Sequence, residues 1–376
     1  MSNINTLKYT VAAVVLSLFI PITAEADGHD TFTEPVEAKN PGVTFDLGVD
    51  ARGDASFGGA DEDEFVNIDN VRVNLGVESE YGVGADVSVQ YTTDTDDNTF
   101  DLLDASLFAD LTTLPFANEF TPDLIKVGRF LAPQDRAGLA DVYGQVAWTS
   151  PSVVSKYASE NGFGRLDGVA VYGDIAVPVP NFPVTFDYSV GVFQGVENNV
   201  GENDNALIAA RIGEDFTVQD VDVSLGFALQ HQHDAVIKGN DYFGWNIDGT
   251  VAKTFSGEAA GTATVSGGYY NYDLDGSAYT PGADLNEGDG FYVQVAYGID
   301  RTFNVTDSIS LSPEPFFRYQ KFNFDGANDG EQERFDAGVN FVVNAETNTK
   351  LTVNYWHDEL QDADDDGVIL GLQFVF

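Results

Sequence analysis

Carboxylates at alternating positions near the end of the chain could bind a metal ion. Asp362, Asp364 and Asp366, followed by Gly367, match the first half of the calcium loop of an EF-hand. The twelfth position of that loop would be Gln373 instead of a glutamate, which excludes a helix–loop–helix calcium site. Two interpretations remain: a weak surface Ca²⁺ site at these aspartates, or a solvated acidic loop without a metal.

Other metal-binding and catalytic chemistry has little support. His231 and His233 share one face of a predicted strand, but no third strong metal ligand lies near them in the sequence. The chain has no cysteine, which excludes disulfides and thiolate–metal centres. It also lacks a nucleophile elbow, a phosphate-binding loop and a dinucleotide-binding fingerprint. We therefore predict that the protein is not an enzyme and has no cofactor other than a loop-bound Ca²⁺.

The charged residues are strongly unbalanced towards acid. The sequence contains 17 Lys and Arg against 61 Asp and Glu, a net charge of −44, which argues against nucleic acid as a partner. The acidic residues concentrate in stretches such as 61–64 and 94–97, between segments of alternating polarity. This distribution fits an acidic surface that is merely solvated, and it equally fits acidic loops that attract cations.

The segments between these acidic stretches alternate with the period of a β-strand. In residues 43–52 the apolar side chains fall on one face, while Asp46, Asp50 and Arg52 fall on the other. We count sixteen such segments between residues 43 and 376, including those at 184–194, 205–213 and 242–255. Most are about nine to twelve residues long, which is the length of a tilted strand that crosses a bilayer. An even number of strands returns the chain to its starting side, as a closed antiparallel barrel requires.

These features predict an all-β transmembrane barrel of about 16 antiparallel strands over residues 43–376. Short periplasmic turns would alternate with long acidic external loops. The sixth and the thirteenth of the predicted strands are weak. The thirteenth contains Pro313 and Pro315, which remove hydrogen-bond donors and suit the rim of a barrel. A soluble β-sandwich or propeller is the alternative, although neither explains an apolar face on every strand.

Both ends of the chain indicate export. Residues 1–26 contain Lys8, an apolar run over 11–22 and the small-residue pattern Ala24-Glu25-Ala26, which predicts a signal peptide that is removed after Ala26. Residues 27–42 form a polar N-terminal segment. At the other end, Gly371, Phe374 and Phe376 resemble the C-terminal signal by which the barrel assembly machinery recognises outer-membrane barrels.

The longest predicted connection, residues 131–164, separates the fifth and sixth strands. It contains too many apolar residues for a loop in solvent, for example at 137–140 and 146–148. Because a loop on a barrel can bury such residues against the inner wall, we expect this loop to fold into the lumen. Unusually long loops are more often functional than decorative.

At this point the sequence resembles the general porins, the trimeric sixteen-stranded barrels of Gram-negative outer membranes. The similar stretches are Val127-Gly128-Arg129-Phe130 before the long loop, residues 162–172 after it, and residues 71–78 in the second strand. The resemblance implies that residues 131–164 form a constriction loop. Carboxylates on such a loop face a wall of arginines, and the field between them sorts solutes by size and charge.

Residue roles follow from the resemblance position by position. Arg72 and Arg129 match wall arginines of the family, and Arg165 begins the strand after the loop. Asp135 and Asp141 would be the loop carboxylates opposite them. The facing of Arg129 stays open, since strict alternation turns it towards lipid and a bulge would turn it inward.

Two positions depart from the family pattern. Asp50 stands where a lysine is common in the first strand, with Arg52 two residues further, and Gly173 stands where a further arginine is frequent. Arg211, Arg318 and Arg334 are other arginines that could strengthen the wall. A thinner positive wall and the acidic composition together predict a preference for cations.

The sequence therefore predicts an outer-membrane porin that passes small hydrophilic solutes and ions through a water-filled pore. The resemblance implies a homotrimer surrounded by outer-membrane lipid and lipopolysaccharide. One alternative is a porin selective for sugar or phosphate, although only 17 Lys and Arg argue against phosphate. The other alternative is a barrel that serves as an adhesin, a receptor or an enzyme.

Overall fold

The structure is a computed structural model. It describes residues 43–58, 67–93, 98–112, 121–134, 146–147, 165–177, 184–195, 205–233, 241–257, 260–274, 287–304, 310–325, 330–343, 349–360 and 363–375. The predicted signal peptide (1–26) and polar segment (27–42) lie outside these residues. So do most of the long loop, with Asp135 and Asp141, and two further predicted site residues, Asp362 and Phe376.

The described residues form strands connected in chain order. Their bounds are β1 (Val43–Gly58), β2 (Asn67–Ser79), β3 (Val83–Thr93), β4 (Asn98–Asp110), β5 (Leu124–Leu131), β6 (Arg165–Val177), β7 (Val184–Gln194), β8 (Ala206–Val218), β9 (Val221–Gln232), β10 (Tyr242–Phe255), β11 (Gly261–Leu274), β12 (Gly288–Ile299), β13 (Phe303–Asn304), β14 (Ser310–Phe324), β15 (Gly330–Val343), β16 (Thr349–Leu360) and β17 (Ala363–Val375). No helix long and apolar enough to cross a membrane occurs in the part of the chain described above.

Sixteen of these strands close into an antiparallel barrel, as the sequence predicts. The barrel closes at β1, where Asp50 lies opposite Arg72 of β2 on one side and opposite Val375 of β17 on the other. The two-residue strand β13 is additional: it pairs only with the beginning of β14, and β12 also pairs with β14. The first and last strands therefore pair with each other, as a hydrocarbon environment requires of a sheet.

The two faces of the barrel differ in polarity. Val73, Leu225 and Val353 are exposed on the outer surface, with 37–47% of each side chain accessible. Side chains of the opposite face, such as Arg211 and Asp336, are buried in the wall of the lumen. This arrangement is an apolar surface around a polar interior, the opposite of a soluble globular protein and the normal state of a membrane barrel.

The prolines of β14 lie at one end of the strand, as expected of residues at a barrel rim. Pro313 and Pro315 pair with β15, opposite Phe341 and Val339. On the other side of β14, pairing with β12 begins only at Phe316. A proline has no N–H to donate to a neighbouring strand. The sheet tolerates both prolines because this part of β14 does not pair with β12.

Aromatic side chains lie on the outer surface of β9–β16, towards the end of the barrel at which β16 leads into β17. Neighbouring rings contact one another across strands, with centroid separations of 5.6–6.5 Å. The rings belong to Phe227, Trp245, Tyr269, Phe291, Tyr319, Phe317, Phe335 and Tyr355. Such a row is typical of the level at which a membrane barrel meets the lipid headgroups, and we call it the aromatic girdle.

The last strand places its apolar face outward. Leu370 and Leu372 of β17 are exposed, and they lie opposite Ala55 and Gly53 of β1. Phe374 lies opposite Ala51 on the same outer face, whereas Gly371 is buried. Strand β17 therefore forms one side of the seam at which the barrel closes on β1.

Candidate functional site

The beginning of the long connection contacts the inner wall at β8 and β9. Nη1 of Arg211 donates a 3.1 Å hydrogen bond to the backbone carbonyl of Gln134, and Nε2 of Gln230 lies 3.4 Å from the carbonyl oxygen of Pro133. Ala132 and Gln134 are themselves buried. Because Arg211 and Gln230 belong to the inner face, this part of the connection lies within the barrel.

A second piece of the connection contacts a different part of the inner wall. Nδ2 of Asn340, on β15, donates a 2.8 Å hydrogen bond to the backbone carbonyl of Val146. The adjacent Ala147 is buried against Ala296 of β12 and Phe316 of β14. Residues 131–134 and 146–147 are thus held at two separate places inside the barrel. The positions between them, including Asp135 and Asp141, are outside the described residues.

A buried ion pair lies beneath the first of these contacts. Arg211 of β8 reaches across β9 to Asp248 of β10, with Nη1–Oδ2 and Nη2–Oδ1 separations of 2.6 and 2.9 Å. The guanidinium lies directly against Gly226, where a Cβ atom would be only 2.0 Å from Nη2. Glycine at this position leaves the space that the arginine occupies, and the two-point contact fixes the guanidinium in the wall.

A second buried ion pair lies near the other contact. Nε and Nη2 of Arg318 donate to Oδ2 of Asp336 at 3.1 and 2.9 Å, and both side chains are almost fully inaccessible. Nδ2 of Asn354 lies 3.3 Å from the other oxygen of Asp336. Several polar groups therefore share one carboxylate, as a buried charge requires.

A third arginine continues this network towards the end of the barrel at which β16 leads into β17. Nη1 of Arg334 lies 3.2 Å from Oδ2 of Asp358, and its Nε is 3.5 Å from Oδ1 of Asp336. The guanidinium carbon is 5.0 Å from the centre of the Trp356 ring. Arg211, Arg318 and Arg334 are thus all present on the inner wall, and each has a carboxylate partner.

The residues predicted for the first and second strands also lie on the inner face. Arg72 donates through Nε and Nη2 to Oε1 of Gln90, at 3.3 and 3.0 Å. Asp50, directly opposite Arg72, accepts a 2.7 Å hydrogen bond from Nδ2 of Asn74. Arg52 is buried on the same face. These three charged residues form one patch of the wall, and their part in a constriction stays a prediction.

Arg129 and Arg165 have different surroundings. The pairing of β5 with β4 and β6 shows no register shift, so Arg129 shares the outward register of Val127, which is 45% exposed. Nε of Arg129 is nevertheless buried and has no hydrogen-bond partner among the residues described. Nε of Arg165 pairs with Oδ1 of Asp104 at 3.1 Å.

The preceding residues keep the strict alternation of β5. Nζ of Lys126 turns inward and pairs with Oδ2 of Asp86 at 3.2 Å. Gly128 has a φ of +129°, and a Cβ there would be 2.2 Å from the carbonyl oxygen of Ala105. The Gly-Arg pair therefore serves a close approach of two strands, a property that the motif alone did not indicate.

A cluster of aromatic side chains on the inner wall was not predicted. Its rings, in contact across β5–β14, belong to Phe130, Phe193, Tyr242, Tyr270, Tyr272, Tyr292, Phe322 and Phe324. All are at most 7% exposed. The repeated aromatics at every second position, as in Tyr270 and Tyr272, were the signal that could have indicated it.

The two histidines considered as metal ligands contact different neighbours. Nδ1 of His231 lies 3.0 Å from the carbonyl oxygen of Tyr242, whereas His233 contacts Asp241. Asp364 and Asp366 are exposed on the outer face of β17. Calcium binding by Asp362, Asp364 and Asp366 remains a prediction, since Asp362 is not among the described residues.

The fold is similar to that of solved outer-membrane channels. The anion-selective porin from Comamonas acidovorans has a TM-score of 0.58 and 12% identity, covering 89% of this chain and 100% of that one. OprB of Pseudomonas putida has the same TM-score and identity, with 89% and 94% covered. The outer membrane channel DcaP of Acinetobacter baumannii has a TM-score of 0.53 and 15% identity, with 90% and 99% covered.

Comparison of the sequence alone gives less information. No protein-family model and no curated protein matches it. At 12–15% identity, the structural similarity shows the fold without showing what the pore conducts. The chain folds as a closed sixteen-stranded β-barrel of the kind found in the porins of bacterial outer membranes.

Proposed function

We propose that the protein is an outer-membrane porin through which small hydrophilic solutes and ions diffuse, with a preference for cations. Residues 1–26 would direct export and be removed, and the mature barrel would assemble as a homotrimer in outer-membrane lipid and lipopolysaccharide. The proposal rests on the ion pairs of the inner wall. Arg211, Arg318 and Arg334 lie on this polar wall, and each of them contacts a carboxylate.

Pairing removes most of the positive field that wall arginines would otherwise exert. Arg211 and Arg318 each contact an aspartate within 3 Å, and Arg334 contacts one at 3.2 Å. A cation and an anion in contact act at a distance as a dipole, whose field decays faster than that of a single charge. A permeating ion therefore experiences little net positive charge from these sites.

Acidic side chains without such partners remain on the same wall. Asp46, Glu78 and Asp187 belong to the inward register of β1, β2 and β7, and none has an ion pair with a described residue. Their excess charge attracts cations and repels anions in a narrow aqueous space. The Comamonas acidovorans porin is anion-selective, so we expect the two barrels to prefer ions of opposite charge.

The resemblance assigns the narrowest region to the long loop. Asp135 and Asp141 would face Arg72 there, where ions have lost part of their bulk water and nearby charges act most strongly. Charges on outer loops, such as Asp362, would matter less and mainly at low salt, because mobile ions screen them.

Reversal potentials in a salt gradient across a planar bilayer test the proposal. We expect the wild type to favour cations, and Asp135→Asn with Asp141→Asn to reduce that preference. Arg72→Ala should increase it and raise the conductance. As a matched control, neutralising the acidic residues 362, 364 and 366 should change the potential less. Anion preference in the wild type would contradict the proposal. A larger shift of the reversal potential in the outer-loop variant than in the Asp135/Asp141 variant would contradict the constriction assigned to the long loop.

The alternatives make different electrical predictions. A sugar-selective pore would need accessible aromatic faces, but the inner aromatic cluster is buried, so sugars should not block the current at millimolar concentration. A barrel that serves as an adhesin, receptor or enzyme would have no steady conductance in single-channel recordings.

A further inference from the structure

Metal-ligating side chains meet on the outer surface of the hairpin formed by β16 and β17. His357, Glu359 and Asp364 each offer a ligand atom, and these atoms all lie within 4.8 Å of one another. Glu359 is directly opposite Asp364 in the sheet, and His357 is opposite Asp366. The strand register therefore brings an imidazole and two carboxylates together, next to a further carboxylate.

The imidazole of His357 is held in place by its neighbour. Its ring packs against Phe335 with a centroid separation of 5.2 Å and an interplanar angle of 40°. Phe335 belongs to the aromatic girdle and is opposite His357 in β15. A ring supported in this way loses less conformational freedom when one of its nitrogens binds an ion.

The carboxylates at this position are not neutralised by the protein. Glu333, Glu359 and Asp364 lie in one row across β15, β16 and β17. Like charges directly opposite one another destabilise a sheet. Neither Glu359 nor Asp364 forms an ion pair with a residue of the described ranges.

The nearest basic side chain in this row is already engaged. Nζ of Lys321 lies 2.6 Å from Oε2 of Glu331 and 2.7 Å from Oε1 of Glu333. Lys321 thus neutralises carboxylates on one side of the row and leaves Glu359 and Asp364 on the other. An external cation would remove the remaining repulsion.

We propose that His357, Glu359 and Asp364 bind a divalent transition-metal ion, with Zn²⁺ as the best match. Zn²⁺ binds both imidazole nitrogen and carboxylate oxygen, whereas Ca²⁺ takes six to eight oxygen ligands. Ligands at about 2.1 Å from a tetrahedral ion are about 3.4 Å apart, so small side-chain rotations would complete the site. Three protein ligands leave one position open for water or an external anion.

The proposed site would connect the last two strands on the outer surface, close to the seam of the barrel. It differs from the calcium site predicted from sequence, because it uses His357 and Glu359 of β16 and needs neither Asp362 nor Asp366. The inference does not depend on what the pore conducts.

Calorimetric titration of the metal-free, detergent-solubilised barrel with ZnCl₂ tests the proposal. We expect one ion per chain, binding at least tenfold more weakly to His357→Gln and to the double variant Glu359→Gln/Asp364→Asn. Asp365→Asn is a matched control, since this neighbouring aspartate lies on the inner face opposite Asp358. His233→Gln is a second control, and neither control should alter binding. Migration in SDS gels before and after heating shows whether each variant is folded.

Cobalt provides a second measurement that does not require a variant. Co²⁺ bound at the site should show the visible d–d absorption of a four- or five-coordinate ion, and Zn²⁺ should displace it. The proposal is overturned if the wild type binds no stoichiometric zinc or if His357→Gln binds as tightly. It is also overturned if Ca²⁺ competes equally with Zn²⁺, which would identify an acidic site without a role for the imidazole.

Discussion

Asn340 and Val146 are 194 positions apart in the sequence, yet the side-chain amide of one donates a 2.8 Å hydrogen bond to the backbone carbonyl of the other. The same Asn340 amide nitrogen is 2.9 Å from Oε2 of Glu314, and its carbonyl oxygen accepts from the Thr352 hydroxyl at 2.7 Å. A residue of the wall thus holds the long loop while its own orientation is fixed by two neighbours.

Asn340→Ala should loosen this part of the loop. The lost hydrogen bond is worth about 1 kcal/mol, so the detached state should become about fivefold more populated. Single-channel recordings should then show more frequent current fluctuations than in the wild type. Thr352→Val is the control, because it removes a hydrogen bond from Asn340 and keeps the contact with Val146. Equal noise in Asn340→Ala and the wild type would mean that this contact does not restrain the loop.

Asp336→Ala should strongly destabilise the barrel. It leaves the buried Arg318 guanidinium without its carboxylate, a change that costs about 3–5 kcal/mol in other proteins. Replacing both residues, as in Arg318→Met with Asp336→Leu, should cost much less because no buried charge remains. Urea unfolding in lipid vesicles measures both effects. Glu331→Gln, in an exposed pair with Lys321, should change the stability by less than about 1 kcal/mol.

Gly226→Ala should displace Arg211 from Asp248. The added methyl group would occupy the position of Nη2, and overpacking of this kind costs about 1–3 kcal/mol. The hydrogen bond from Arg211 to the loop carbonyl of Gln134 should be lost as well, so the current noise should increase. Gly298→Ala is the matched control, since a Cβ there would meet only an oxygen at 3.9 Å. A Gly226→Ala variant as stable as Gly298→Ala would contradict the packing described here.

Leu225→Arg tests which face of the barrel meets lipid. Leu225 is 47% exposed on the outer surface, and an arginine there should cost about 2–4 kcal/mol if it lies near the middle of the bilayer. Ser224→Arg, one residue away on the lumen side, should fold with a much smaller loss. Unfolding free energies in vesicles compare the two, and equal losses would show that the faces are wrongly assigned.

Deletion of Phe376 tests the assembly signal. We expect much lower amounts of folded protein in the outer membrane, because the assembly machinery would no longer recognise the last strand. Removal of Asp27, at the predicted start of the mature chain, should have little effect. Quantitative immunoblotting of membrane fractions gives the comparison, and normal levels of the Phe376 deletion would count against such a signal.

Much of the barrel could be predicted from alternation alone. The predicted bounds of the strands at 184–194 and 242–255 agree with those observed. By contrast, β8 was expected to end near residue 213 but continues to Val218, because its connection to β9 is a tight turn at Gln219 and Asp220, both with positive φ. The acidic residues Glu214 and Asp215 belong to this longer strand.

The pairing of charges could not be predicted in the same way. Arg211 contacts Asp248 two strands away, and that reach depends on the empty space above Gly226. A sequence shows which face each residue occupies, but the lateral offset between strands decides which charges meet. The sequence therefore named Arg211, Arg318 and Arg334 as possible wall arginines, but it could not show which aspartate each of them contacts.

Because side chains alternate between the two faces of the barrel, the tryptophan fluorescence of the protein can report on both faces. Of its three tryptophans, Trp245 lies in the aromatic girdle and Trp356 packs beside Arg334 on the inner wall. Brominated acyl chains should therefore quench the emission of the first, whereas acrylamide entering through the pore should quench the second. In a Trp148→Phe variant, the two remaining fluorophores would thus follow the surrounding bilayer and the aqueous passage separately, without an attached dye.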